Sequence, residues 1–191
     1  MSLIASIEAE YTRYKALAEA AIQQTGDEEL SQTGPGESNS IEMLVRHVGG
    51  NLESRFTDFR TSDGEKPWRD RDSEFEAAAL TREQLLEGWE RGWRALLNAI
   101  AGLTDADLAD TVTIRRQPLT INEALHRSLA HTAYHVGQIV YMAKAMRGGA
   151  WRCLSIPRGG STAHNQAGRP EHAAAHASHL AALGKPQGPT S

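Results

Sequence analysis

His131 and His135 stand four residues apart in the run His131-Thr-Ala-Tyr-His135-Val-Gly-Gln138, and residues at i and i+4 share one face of a helix. Two neutral imidazoles projecting from a rigid helix can bind a borderline divalent ion such as zinc or nickel with little ordering left to do at capture. A third ligand must come from another segment, and His47 is the best candidate. It lies roughly 120° from the apolar line of Ile41, Val48, Leu52 and Phe59 at 100° per residue. His131 and His135 lie roughly 80 to 120° from the line of Leu125, Thr132, Val136 and Ala143. All three flank a core face, beside small or weakly polar residues such as Ser128 and Met142, as the walls of a cleft between two helices would. If those helices are neighbours, His47, His131 and His135 make a facial three-nitrogen site with positions open for water or substrate, the catalytic kind of zinc site. The competing reading is three unrelated imidazoles. The run lacks the Glu after the first His that zinc metalloproteases use as general base, which argues against peptidase chemistry.

Other polar residues fall near these positions. Asn51 and Gln138 each lie about one turn from a proposed ligand, where they could orient water or substrate or simply bond between helices. Arg55 falls near the apolar side of its segment, where an unpaired guanidinium is costly, so it pairs with a carboxylate such as Asp58 or meets an anionic substrate. His126 points away from His131 and reads as a surface residue. His172, His176 and His179 form a second row in an Ala-rich tail that could hold metal without biological purpose. Cys153 is either a reactive thiol near the site or a small buried hydrophobe.

The elements that must position these groups are helices. Residues 2–24 carry Ile4, Ile7, Tyr11, Tyr14, Ala18 and Ile22 on one face. After the loop containing Gly34-Pro35-Gly36, a second stripe starts beyond Ser38-Asn39-Ser40 and runs through Phe59. Residues 62–72 break the period, with Trp68 expected to pin the loop and lid the site. Thr81-Arg-Glu-Gln84 is a capping box opening a helix with Leu85, Trp89, Trp93, Leu96 and Ile100, its tryptophans core or dimer interface. A short extended excursion at 111–119 precedes a second box, Thr120-Ile-Asn-Glu123, and the longest helix, which Gly148-Gly149 stops. Four helices of 20 or more residues specify an all-α four-helix bundle with a long crossover loop. Trp151, Leu154 and Ile156 should pack back on the bundle, giving one domain over 1–165. The tail, 166–191, reads as flexible and irregular, with a loose helix or disorder at 171–183.

The 191 residues carry 20 Lys and Arg against 24 Asp and Glu, a formal charge of −4. No basic stripe with interleaved aromatics is present, so nucleic acid is a poor partner. The single cysteine excludes a multi-cysteine zinc site and an intramolecular disulfide, and fits a reducing cytoplasm. The first residues lack the basic and apolar regions of a signal peptide, and no run of 18 apolar residues occurs, so no membrane association is expected.

One His on the second helix and His-x3-His-x-Gly-Gln on the last resemble the DinB/YfiT-like superfamily over roughly residues 1–165. Arg46-His-Val-Gly-Gly-Asn51, Ser54-Arg-Phe-Thr-Asp-Phe59, Asp63-Gly-Glu-Lys-Pro-Trp-Arg-Asp-Arg-Asp72 and Leu154-Ser-Ile-Pro-Arg-Gly159 resemble an uncharacterised bacterial branch of it. The resemblance implies a zinc or nickel ion held by His47, His131 and His135 with water completing the shell. It also implies thiol-dependent transferase or isomerase chemistry on a small-molecule substrate, with a low-molecular-weight thiol as co-substrate, and a homodimer. Hydrolysis by activated water is the related possibility. The rival expectation is a noncatalytic, stress-associated bundle that binds metal or dimerises.

Overall fold

Four hydroxyl side chains set the starts of the long helices. Ser2, Ser40, Thr81 and Thr120 each accept a hydrogen bond from an amide in the first turn, and the last two complete the capping boxes with Gln84 and Glu123. The computed structural model describes residues 2–36, 38–168 and 171–183; the end of the predicted tail, 184–191, lies outside them. In chain order the helices are α1 (Leu3–Ile22), α2 (Asp27–Leu30), α3 (Ile41–Phe56), α4 (Arg82–Ala101), α5 (Ile121–Arg147), α6 (Ser161–Gln166) and α7 (Ala173–Leu183). Between α4 and α5 a two-stranded antiparallel hairpin, β1 (Thr111–Ile114) and β2 (Gln117–Thr120), pairs Thr111 with Thr120 and Ile114 with Gln117.

Hydrogen bonds at the helix ends fix the topology. At one end Asp105, just past α4, accepts from the amides of Leu3 and Ile4 at 2.9 Å, and Gly64, beyond α3, donates to Thr113 of the hairpin at 2.8 Å. At the other end Arg82, opening α4, bonds the carbonyls of Ile22 and Thr25, and Gln24 bonds Arg152 beyond α5. Helices α1 and α5 therefore run one way and α3 and α4 the other. The parallel pair α3 and α4 requires the expected long crossover, residues 57–81. Helix α3 packs against α4 and α5, and α1 against α5, α4 and α7.

The bundle core includes Tyr11, Leu44, Leu52, Leu96, Ile121, Leu125 and Ile139. Trp89 and Trp93 are buried in it, Trp93 edge-on to Tyr11 at 6.2 Å, so of the two expected roles they take that of core. The tightest approach is between α3 and α4. A Cβ on Gly92 would sit 2.8 Å from the Gly49 carbonyl carbon and closer still to its oxygen.

Several expectations are corrected. Helix α3 ends at Phe56, not Phe59, and has 16 residues, not 20 or more, because Thr57 is extended and Asp58 adopts φ +50°. Phe59 stays buried against Phe56, which is why the apolar period continues past the helix. Trp68 is 55% exposed and pins nothing. The loop is instead folded onto itself by Lys66, buried, whose ammonium bonds Ser62 and the Asp63 carbonyl. The extended excursion is a hairpin whose turn residues Arg115 and Arg116 adopt φ +53° and +62°. Leu154 packs into the core as expected, whereas Ile156 is exposed. Residues 173–183 form α7, which buries Ala177 and Leu180 on α1. Among the described residues no helix is long and apolar enough to cross a membrane.

Gly92→Ala should destabilise the fold by about 1–3 kcal/mol through overpacking at the α3–α4 contact. Gly137→Ala on α5, where a Cβ meets nothing within 4 Å, should be neutral or stabilise by up to about 1 kcal/mol from helix propensity. Urea denaturation of the two variants checks both signs.

Candidate metal centre

The antiparallel packing of α3 on α5 brings His47 against His131 and His135. One ring nitrogen from each can be chosen so that all three lie within 4.8 Å of one another. His47 Nε2 and His131 Nε2 are 3.1 Å apart, and the ring centroids of the three residues are separated by 4.5–5.1 Å. Two nitrogens each about 2.0–2.1 Å from a shared ion lie about 3 Å apart, so the spacing suits coordination. Among the described residues this is the one cluster of three His, Cys, Asp or Glu able to hold an ion.

The far side of two rings is fixed. His47 Nδ1 donates to Glu74 Oε2 at 2.8 Å, which leaves its Nε2 as a lone-pair acceptor. His135 Nδ1 donates to Gln138 Oε1 at 2.8 Å, with the same result. An acceptor behind each imidazole fixes the tautomer and raises basicity, the arrangement usual behind metal-bound histidines. Gln138, singled out in the sequence, thus orients a ring.

Glu74 is the residue that the sequence did not reveal. It sits in a 3₁₀ turn, Asp72–Phe75, in the crossover, at the end of the stretch 62–72 that breaks the helical period. Both its oxygens also accept from Arg69, at 2.8 and 2.9 Å. Arg46 holds the turn by donating to the carbonyls of Ser73 and Glu76. Gly50 leaves the room Glu74 fills, since a Cβ there would lie 3.2 Å from the Glu74 carboxyl carbon and nearer to an oxygen. Phe75 packs on His47 at 4.7 Å.

The remaining candidates divide. Asn51 is half-buried and lines the pocket beside the cluster. Arg55 does not pair with Asp58; it bonds the Gly64 carbonyl at 2.7 Å and Glu65 at 3.2 Å, because the chain turns away at Asp58 and brings Glu65 back. His126 is exposed and bonds the Asn122 carbonyl. His176 bonds the Leu154 carbonyl, and no metal cluster forms in the tail row. Cys153 lies after α5, 3.8 Å from the Ser155 hydroxyl, outside the site.

Burial pushes the His131 imidazole down to about 4, helped by His135, His47 and the Arg69 and Arg55 guanidiniums. Burial likewise lowers His135, against the opposing bond to Gln138. For Glu74 burial acts upward, but the bonds from His47 and Arg69 outweigh it and hold the carboxyl below its usual range. At neutral pH the cluster therefore offers unprotonated nitrogen at His131 and His135 beside an ionised carboxylate. His47 and His131 open onto a pocket of about 370 Å³ walled by the hairpin, the crossover, α3 and α5.

Residues 1–160 match the model of a family described as a protein of unknown function, DUF1572. The chain belongs to that family. No curated protein and no solved structure matches it significantly. The DUF1572 match spans the four long helices, hairpin and crossover, so all three histidines and Glu74 fall inside it.

Two outcomes follow for this DUF1572 member. Glu74→Gln should weaken binding of added zinc by about 10–100-fold, measured by chelator competition, because the ring it steadies loses a charged acceptor. In the metal-free protein, His131 has a pKa of about 4 folded against about 6.5 unfolded. Its contribution to stability is complete above pH 6.5 and is lost as pH falls toward 4, since the unfolded chain takes the proton first. Thermal melts with chelator should show this loss, and His131→Gln should make the profile shallower; an unchanged profile would exclude it.

Proposed function

We propose that this chain is a metal-dependent enzyme of the DinB-like type, a thiol-dependent transferase or a hydrolase acting on a small electrophilic substrate. The observation that carries this reading is the convergence of three imidazoles on one point at the wall of an open pocket, two of them with the opposite nitrogen already bonded. A facial three-His set with open positions is the arrangement of catalytic zinc sites.

His47, His131 and His135 would hold the ion, zinc or nickel. When bound, such an ion lowers the pKa of a thiol or water by several units and so presents a nucleophile at neutral pH. The protein's own groups prepare that chemistry. Glu74 and Gln138 keep His47 and His135 turned with Nε2 inward, and Arg69 keeps Glu74 ionised and in place. The depressed pKa of His131 leaves its ring neutral at neutral pH, so no imidazolium charge there opposes the ion. Asn51, in the pocket wall, has an amide that can donate to one substrate atom and accept from another. The resemblance to DinB-like proteins also supports a low-molecular-weight thiol as co-substrate and a homodimer, and the single cysteine fits a reducing cytoplasm. Tyr134 and Tyr141, exposed on one side of α5, offer a face for the dimer.

Elemental analysis of the full chain, with His172, His176 and His179 replaced by Gln, tests the reading. Near-stoichiometric zinc or nickel is expected, absent from His47→Ala and His131→Ala. His131→Ala should abolish thiol-transfer or hydrolytic turnover with little change in Tm. A fall of several degrees with the metal lost would instead favour a structural ion, and a parent that cannot be loaded would exclude the metalloenzyme.

A further inference from the structure

The pocket beside the histidines has a composition that metal binding alone does not explain. Five arginines line it: Arg55 from α3, Arg69 and Arg71 from the crossover, Arg115 from the hairpin turn and Arg127 from α5. Among the described residues no carboxylate lines it. The acids that touch these guanidiniums among the described residues are three: Glu65 pairs Arg55 and Arg115, Glu74 pairs Arg69, and the exposed Asp72 lies 3.6 Å from Arg71. Five guanidiniums thus face three carboxylates in direct contact around a cavity of about 370 Å³, with a fourth carboxylate, Asp63, on the amides of the hairpin turn. Arg127 has no hydrogen-bond or ion-pair partner among the described residues, and the Arg71 guanidinium is braced over the Phe75 ring at 4.9 Å. The other wall is apolar, from Phe56, Phe59, Ile114 and Leu119.

The hairpin turn points the same way. Arg115 and Arg116 are consecutive residues at positive φ, where Asn and Gly are the unstrained choices. The Asp63 carboxylate stabilises the turn by accepting from both amides, at 2.8 and 2.7 Å. A turn that needed only to reverse the chain would not require arginine there; this one places Arg115 in the pocket wall.

We infer that this pocket binds a small organic dianion with an apolar body, its charged groups met by the guanidiniums of Arg127 and Arg71, and its body against Phe56 and Phe59. Guanidinium forks match carboxylate and phosphate oxygens, and such charge-assisted pairs are the strong hydrogen bonds. Arg69, Arg55 and Arg115 are already held by Glu74 and Glu65 and supply field more than contact. As the substrate class of the proposed enzyme, the inference rests on the metal-dependent reading; as a binding site, it is measured separately from it.

Calorimetric titration of the full chain with phthalate and with phenyl phosphate, against neutral benzamide, tests it in zinc-loaded and metal-free protein and in His135→Ala. At least one dianion should bind ten times or more tighter than benzamide, with affinity falling as salt rises, and which one binds separates carboxylate from phosphate. Arg127→Ala should weaken that binding about tenfold or more, and Arg127→Ala with Arg71→Ala further, with Tm unchanged because both side chains are exposed. Retention in metal-free protein and in His135→Ala supports the site even if no metal is ever loaded. Equal binding of benzamide, indifference to both arginine substitutions, loss of binding with the metal alone, or no binding of either dianion at millimolar concentration would overturn it, leaving the metal reading to its own test.

Discussion

The carboxylate of Glu74 is what joins the bundle to its site. It is buried, and a buried charge is tolerated only where opposite charge and hydrogen bonds replace water. Here His47 supplies one bond and Arg69 two, so the carboxylate, the imidazole and the guanidinium are each satisfied by the others. Take away Glu74 and the imidazole and the guanidinium both lose their acceptor; take away Arg69 and the buried carboxylate keeps only the bond from His47. That mutual requirement draws the crossover down onto α3 and gives one histidine of the cluster a fixed orientation.

Topology makes the crossover available. Because α3 and α4 run parallel, the chain must travel the length of the bundle between them, and a short connection cannot do this. The detour is put to use along its course. Gly64 bonds the hairpin, Lys66 folds the loop onto itself, and the 3₁₀ turn delivers Glu74. The pocket is therefore built where segments distant in sequence meet: two helix faces supply the imidazoles and two loops supply most of the guanidiniums.

Much of this was legible in the sequence for physical reasons. Helix starts could be read because Ser and Thr caps act locally, and helix faces because the apolar period is a property of adjacent turns. The approach of His47 to the pair on α5 followed from the faces once the helices were taken as neighbours. Glu74 was hidden because an irregular loop has no period to say where a side chain points. The end of α3 was missed since Phe59 keeps the apolar rhythm after the helix has stopped. The hairpin turn was missed because Arg-Arg carries none of the usual turn chemistry. The arginine-lined pocket was invisible as a whole, its members being scattered over four segments that become neighbours only on folding.

The pair Gly49-Gly50 bears on how the molecule reaches this state. One glycine admits α4 and the other admits Glu74, so α3 carries adjacent residues with the poorest helix propensity short of proline. At about 1 kcal/mol each, two such residues in a 16-residue helix leave it unable to persist alone. Helix α3 thus forms in step with its packing on α4 and the descent of the crossover, so that chain collapse and assembly of the histidine cluster become one cooperative event.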